Sequence, residues 1–451
     1  MKNKLSKNEL IVEGDINLSE GRKKWLAEEV DEATKDLLAK DAQYFLHQAL
    51  STPCMDVLAH AKGPFITNTS GKNYFDFHGN NVHQIGFSHP KLIEALKKQL
   101  DQLTFSTRRY TNETAINFAK KLTSLTPGLD KILMTPNGSS AVGIALKLAR
   151  AVTGKYKVLS FWDSFHGASL DVVSVSGESV FREQMGPLMP SVERIPPPIT
   201  YRGIYENNED KALEYLEYIL EKDNQIGAFL AETVRNTDVQ IPSKKFWKAA
   251  RKLCDKHDVL LILDEIPIAL GRTGKLFAYE HFDIVPDILC LGKGLGGGII
   301  PQAAIVTKSE YDRFNHISLG HYTFEKSPMG AAAALTTLQI IEEEHLLEHV
   351  VYLEGMVQAT LNDFQHKYKI IGDIRGLGLL WGIELVKDRT TKEKATAEAE
   401  AIMYECLKNG LSFKVSKGNV LQLCPALSIT TTQLAEGLAI LENALEKITK
   451  S

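Results

Sequence analysis

Between about residue 110 and residue 330 the chain alternates short, uninterrupted apolar runs with stretches of helical periodicity, and nothing else in it restricts the fold as much. The runs Lys157–Phe161, Ala228–Val234, Val259–Asp264 and Ile288–Leu291 are apolar almost throughout. A strand with one wet face alternates apolar and polar residues, whereas a run without alternation needs cover on both faces. A helical pattern over Ala141–Ala151 precedes the first of these runs, and another over Lys244–His257 stands between the second and the third. That order predicts an α/β fold with an open, mostly parallel sheet and helices on both sides. Functional loops then belong at the carboxyl ends of the strands.

The flanks differ in texture. Residues 1–50 are polar, with an amphipathic helical pattern at Trp25, Val30, Ala33, Leu37 and Leu38. Ser70-Gly71 reads as a turn between two short strands, and Pro90–Leu103 as a helix opened by proline. From Gly330 to Phe364 the pattern is helical throughout, and beyond it strands Leu379–Leu385 and Val420–Leu423 mix with helices Thr396–Asn409 and Thr431–Thr449. The expected division is 1–90, an N-terminal segment and part of a small domain; 91–335, a large domain; and 336–451, a C-terminal small domain.

Lys plus Arg is 52 against 56 for Asp plus Glu, a net charge of −4 that gives no support for nucleic acid or an anionic membrane as partner. Five scattered cysteines without a C-x-x-C pair argue against a disulfide framework or a metal site and fit a reducing compartment. Met1–Ser19 lacks the apolar core of a signal peptide, and no apolar run approaches the ~18–20 residues that cross a bilayer. A cytoplasmic location is the expectation.

One segment concentrates the chemistry: VLLILDEIPIALGRTGKLFAYEHFDIVPDILCLGKGLGGG. An apolar run ends in Asp264-Glu265, and 29 residues after Asp264 a second run ends in Gly292-Lys293-Gly294. An ammonium at the end of a buried strand is costly unless it is partnered or converted. An imine to a carbonyl cofactor removes that cost and creates an electrophile. An aspartate ending a neighbouring strand suits the protonated ring nitrogen of such a cofactor. Taken singly, Asp264 can be a loop cap and Lys293 a solvated surface charge; the pair in this setting favours chemistry. Gly138-Ser139-Ser140 stands just before a helix, where free amides bind phosphate, although simple N-capping explains the same residues. Phe165-His166-Gly167 follows the run Lys157–Phe161, where an aromatic can stack on a flat ring or simply fill the core.

In this order, from GKNYFDFHG through DEIPIALGRTG and LGKGLGGG to GDIRGLGLLWGIEL, these segments resemble the class III (ω-amino acid) aminotransferases, enzymes of fold type I that use pyridoxal 5′-phosphate (PLP). The resemblance covers nearly the whole chain. It implies a large domain built on a mostly parallel seven-stranded sheet, with a small α+β domain. It implies that Lys293 holds PLP as a Schiff base and moves protons on the substrate carbon, and that Asp264 pairs with the pyridine nitrogen. Ile266 and Phe165 would cover opposite faces of the ring, Gly138 and Ser139 would take the phosphate, and His166 and Glu232 would also line the cofactor. Thr323, in GHYTFEKSPMG, would reach the phosphate of a neighbouring subunit, so a homodimer with shared sites is implied.

Four departures from the family pattern bear on the reaction. Pro267 replaces the amide residue of D-E-V-Q, Asn137 and Ser140 alter the phosphate loop, and Glu325-Lys326-Ser327 replace Gly-Gly-Asn in the crossing loop. The fourth concerns substrate: Gln422 stands in place of the arginine of R-x-x-P-P-L, and Thr237 in place of the glutamate that shields that arginine. An arginine fork binds a carboxylate through bonds about twice as strong as neutral ones, and Gln422 offers one neutral donor. Without the switch a keto-acid partner is not needed. The resemblance is then strongest to the lyase branch of the family, which eliminates a β-substituent from small phosphorylated or phosphonate amines. An ordinary ω-aminotransferase using pyruvate is the alternative, and a catalytically silent scaffold a third. An anionic substrate needs cations, for which Arg235 comes first, then Arg108, Arg109 and Lys326; each can equally be a surface charge or an ion-pair member. Asn80, with Asn81 and His83, is placed to touch a leaving hydroxyl.

Overall fold

The computed structural model describes residues 19–48 and 54–450. Met1 to Asn17 and Leu18, on which the reading of the N-terminus rests, lie outside the described residues. Strands β1 (Leu58–Lys62), β2 (Phe65–Asn68) and β3 (Asn73–Asp76) form an antiparallel set. The expected turn joins β2 to β3 at Gly71, whose φ of 86° suits glycine.

The central sheet contains β4 (Lys131–Thr135), β5 (Lys157–Phe161), β6 (Val192–Ile195), β7 (Ile226–Glu232), β8 (Leu260–Asp264), β9 (Ile288–Leu291) and β10 (Ala303–Thr307). Their order is β4-β10-β9-β8-β7-β5-β6, and only β10 runs antiparallel to its neighbours. Every residue of β7, β8, β9 and β10 is buried, as the uninterrupted apolar runs demand. This is the mostly parallel seven-stranded sheet that the sequence implies.

The remaining strands are β11 (Ile371–Leu377), β12 (Leu380–Leu385), β13 (Leu411–Ser412), β14 (Lys414–Ser416) and β15 (Val420–Leu423). Four of them form an antiparallel sheet in the order β11-β12-β15-β14. The fifth, β13, pairs in parallel with β3, Leu411 opposite Phe75, and so ties the N-terminal strands to the C-terminal part of the chain.

Two local expectations shift. The strand expected at Ala228–Val234 runs Ile226–Glu232, because the Asn236 amide donates to Glu232 Oε2 (3.0 Å) and turns the chain there. The long helical pattern from Gly330 is two helices, Pro328–Glu343 and Leu346–Lys367. They part at His345, whose φ of 52° cannot continue a right-handed helix.

Candidate active site

The carboxyl ends of β7, β8 and β9 bring three charged side chains together. Glu232, Asp264 and Lys293 end or follow these strands, and the ladder pairs Glu232 with Asp264 and Asp264 with Cys290, three residues before the lysine. Asp264 is 2% exposed, with Oδ2 2.8 Å from His166 Nδ1, where the ring N–H donates. Its Oδ1 accepts the Ile266 amide at 3.1 Å. The aspartate is thereby held in one orientation, with His166 fixed behind it.

Lys293 opens a 3₁₀ turn after β9 with a φ of 45°, a left-handed conformation seldom used by a non-glycine residue. Such strain is retained where the surroundings over-determine it. Burial pushes the ammonium below its ordinary pKa, the charges of Asp264 and Glu232 pull it back up, and Lys414 pushes it down again. Burial also raises the Glu232 carboxyl, although His166 and Arg235 oppose this. Glu232 Oε1 accepts the Phe165 amide at 3.2 Å, which fixes the aromatic loop to the end of β7.

A candidate anion cradle lies at the start of the helix that follows β4. The helix Gly138–Thr153 is capped by Asn137, whose side chain accepts the Ser140 amide at 2.9 Å. Gly138 and Ser139 amides in that first turn have no intrahelical partner and suit a phosphate. A Cβ on Gly138 would stand 2.9 Å from Ile266 Cδ1, so glycine lets the helix approach the residue expected to cover the ring. Ser139 Oγ accepts the Ala168 amide at 3.2 Å and leaves no room for a side chain at Gly167. Phe165 is half-buried and packs on Phe181, ring centroids 4.5 Å apart. The residues fit PLP: a lysine among glycines, an oriented aspartate, an amide cradle, and an aliphatic and an aromatic side chain to flank a ring.

Glu265, next to Asp264, is a structural counterpart. Thr233 Oγ1 donates to it at 2.9 Å, and the Ala278 and Tyr279 amides at 2.7 Å each. Burial raises its carboxyl to about 7.

The two positions expected to alter the substrate switch, Gln422 and Thr237, lie close together through Asn236. Gln422 on β15 is 1% exposed and its Nε2 donates to the Asn236 carbonyl at 2.6 Å, beside the partly buried Thr237. Asn236 Oδ1 in turn accepts from Asn81 Nδ2 at 2.9 Å. The stretch Gly79-Asn80-Asn81 has φ values of 47°, 46° and 56°, and Asn80 Oδ1 lies 2.8 Å from His78 Nε2. His83 is fully buried and bonds the Asp76 carbonyl at 3.1 Å.

The expected cations separate into two groups. Arg235, first in expectation, is 6% exposed and bonds Asp238 and Glu178 with its two terminal nitrogens. Both ends of its fork are committed to carboxylates. Arg108, Arg109, Thr323 and Lys326 are exposed on two loops that pack together, Phe105 edge-on to Phe324 at 5.4 Å and Asn112 Nδ2 donating to the Lys326 carbonyl at 2.9 Å. Sequence reasoning passed over Asn236, which joins Glu232, Gln422 and Asn81, and over His78 and Lys414. Asn236 lies inside the same six-residue stretch as Arg235 and Thr237, but its charge-neutral side chain attracts no notice without the contacts.

Comparison with known proteins adds four findings. A family model for class III aminotransferases matches residues 48–445. The chain is 52% identical to an (R)-1-hydroxy-2-aminoethylphosphonate ammonia-lyase of Vibrio splendidus (strain 12B01), over 97% of this chain and 95% of that protein. It is 32% identical to an alanine/serine racemase of Pyrococcus horikoshii, over 85% of this chain and 84% of that protein. Among solved structures, the taurine:2-oxoglutarate aminotransferase of Bifidobacterium kashiwanohense, in complex with PLP and glutamate, superposes with a TM-score of 0.87 at 26% identity, covering 94% of this chain and all of that one. Among the described residues no cluster of three or more His, Cys, Asp or Glu is placed to hold a metal, and no helix is long and apolar enough to cross a membrane.

Proposed function

Since the chain belongs to the class III aminotransferase family, we propose that it is a PLP-dependent ammonia-lyase that converts (R)-1-hydroxy-2-aminoethylphosphonate to phosphonoacetaldehyde and ammonia. The observation that carries this reading is the joined pair Gln422 and Asn236-Thr237, where a keto-acid-using relative needs an arginine and its shielding glutamate. The likeness over nearly the full length to an enzyme of that name supports it.

Bound between Phe165 and Ile266, PLP supplies an electron sink that acidifies the C–H bond beside the substrate nitrogen. Lys293 Nζ takes that proton, a task for which burial prepares it by favouring the neutral amine. Asp264, fixed by His166 and the Ile266 amide, holds a negative charge against the ring nitrogen. Gly138 and Ser139 receive the phosphate, and Glu232 positions the Phe165 loop. The hydroxyl leaves from the neighbouring carbon, and the water lost there is regained when the nitrogen departs as ammonia. The overall change is therefore elimination of ammonia with no second substrate.

The packed loops that carry Thr323, Lys326, Arg108 and Arg109 are exposed in one protomer. We read them as a partner-facing surface, with Thr323 completing the phosphate site of a homodimer. Five free cysteines, four of them buried, support work in the reducing cytoplasm.

The test is incubation of holoenzyme with the hydroxyphosphonate and no keto acid. Ammonia release should continue through many turnovers, and Lys293→Ala should abolish both turnover and the bound cofactor's absorbance band. Release that stops after one equivalent and resumes on adding pyruvate identifies an aminotransferase and defeats the lyase reading.

A further inference from the structure

The arginine of the family pattern supplies donors, whereas the glutamine at position 422 presents an acceptor. Gln422 lies on β15, 1% exposed, and its Nε2 donates to the Asn236 carbonyl at 2.6 Å. A carbonyl only accepts, so this bond fixes which way the amide is turned. The donor that the sequence offers to an anion is therefore already spent, and the atom left over is Oε1. That oxygen is buried and has no hydrogen-bond partner among the described residues.

The loop that takes this donor is clamped to the sheet. Arg375 Nε donates to the Asp238 and Val239 carbonyls at 2.9 and 3.0 Å. A Cβ on Gly382, the β12 partner of Gln422, would stand 3.1 Å from Val239 Cβ, so glycine lets the loop settle there. The same loop leads to the cofactor side. The Asn236 amide donates to Glu232 Oε2 at 3.0 Å, and Glu232 Oε1 holds the Phe165 amide at 3.2 Å. Gln422 is thereby joined through one residue to Glu232, the ladder neighbour of Asp264. Asn81, also 1% exposed, gives its Nδ2 to Asn236 Oδ1 and leaves its own Oδ1 without a partner. Two facing amides can turn over together, so of the two residues only Gln422 has an orientation that the backbone settles.

Leaving a buried acceptor bare is costly, and a donor on a ligand removes that cost. A carboxylate has no donor to offer and meets at Gln422 an oxygen of like polarity. A hydroxyl has one. We propose that Gln422 Oε1 accepts the hydrogen bond of the substrate's hydroxyl and so selects a vicinal hydroxy amine over its deoxy analogue. This rests on the lyase reading above and names the residue that recognises the group to be eliminated. An acceptor gives the departing oxygen no proton, so Gln422 is a specificity-determining residue that orients the C–O bond. A site built to bond a hydroxyl rejects the analogue that lacks it, because its own polar group is then left unpaired. One substitution thus removes the contact for a keto acid and creates the contact for the leaving group.

(R)-1-Hydroxyethylphosphonate and ethylphosphonate differ only in the hydroxyl, and neither has an amine with which to react. Calorimetric titration of the holoenzyme with each reads the contact without turnover. Wild type should bind the hydroxylated ligand about tenfold more tightly, the worth of one hydrogen bond to a group otherwise left bare. In Gln422→Met the ratio should fall to within about twofold of unity, through weaker binding of the hydroxylated ligand. Gln422→Asn, shorter by one methylene, serves the same purpose should the methionine variant fold poorly. A wild-type ratio already within about twofold of unity, a ratio unchanged by the substitution, or equal losses for both ligands with a lowered Tm, overturns the proposal. A ratio that depends on Gln422 in an enzyme releasing no ammonia upholds the contact and defeats the lyase reading alone.

Discussion

Replacing Arg235 with methionine keeps the length of the side chain and removes a buried charge that bonds Asp238 and Glu178. All three residues are nearly inaccessible, at 6% for Arg235, 6% for Asp238 and 2% for Glu178. Removing one member of a buried ion cluster strands the others and costs about 3–5 kcal/mol. At about 2.1 cal/mol/K per residue, 451 residues unfold with an entropy of about 0.9 kcal/mol/K, so the loss lowers Tm by about 4 °C. The pH dependence gives the cause. Burial pushes the Asp238 carboxyl up, but Arg235, then Arg375 and Lys417, hold it below its ordinary 3.8. A depressed folded pKa contributes stability above the unfolded value that is lost as pH falls through the folded one. Without Arg235 much of that contribution disappears, so the deficit should be full near neutral pH and shrink only as pH falls below about 4. Scanning calorimetry across that range, with KM for the hydroxyphosphonate measured on the folded variant, checks both points. An unchanged Tm with KM raised tenfold or more would refute the structural assignment and restore Arg235 as the substrate's anchor.

Glu265→Gln should flatten the acid limb of the stability profile. Burial lifts the wild-type carboxyl from 4.5 to about 7, so its contribution is full below pH 4.5 and is lost as pH rises through 7, about 3 kcal/mol at about 1.4 kcal/mol per pH unit. Urea unfolding from pH 4.5 to 7.5 should show wild type declining relative to the glutamine variant, and parallel profiles would count against a raised carboxyl. Gly138→Val should weaken PLP binding about tenfold or more, because the new side chain meets Ile266 Cδ1 already at its Cβ, 2.9 Å away, and overpacking costs about 1–3 kcal/mol. Cofactor release followed by absorbance during dialysis measures it, and an unchanged affinity would mean that the cradle lies elsewhere.

What could be read in the sequence depended on the range of the signal. Asp264, Lys293 and Gly138 each stand where an apolar run or a helix meets a loop, and that junction lies within a few neighbouring residues. The middle of the central sheet was legible for the same reason, β7, β8 and β9 being buried at every position. Arg235 stands in the right loop with the right charge, yet its partners are Asp238, three residues along, and Glu178, 57 residues back. The first was available to local reading and should have lowered the arginine's rank as a free cation; the second depends on the fold. Loop charge locates an anion site only after the carboxylates that neutralise it are subtracted, and a carboxylate as distant in sequence as Glu178 is brought to Arg235 by the fold alone.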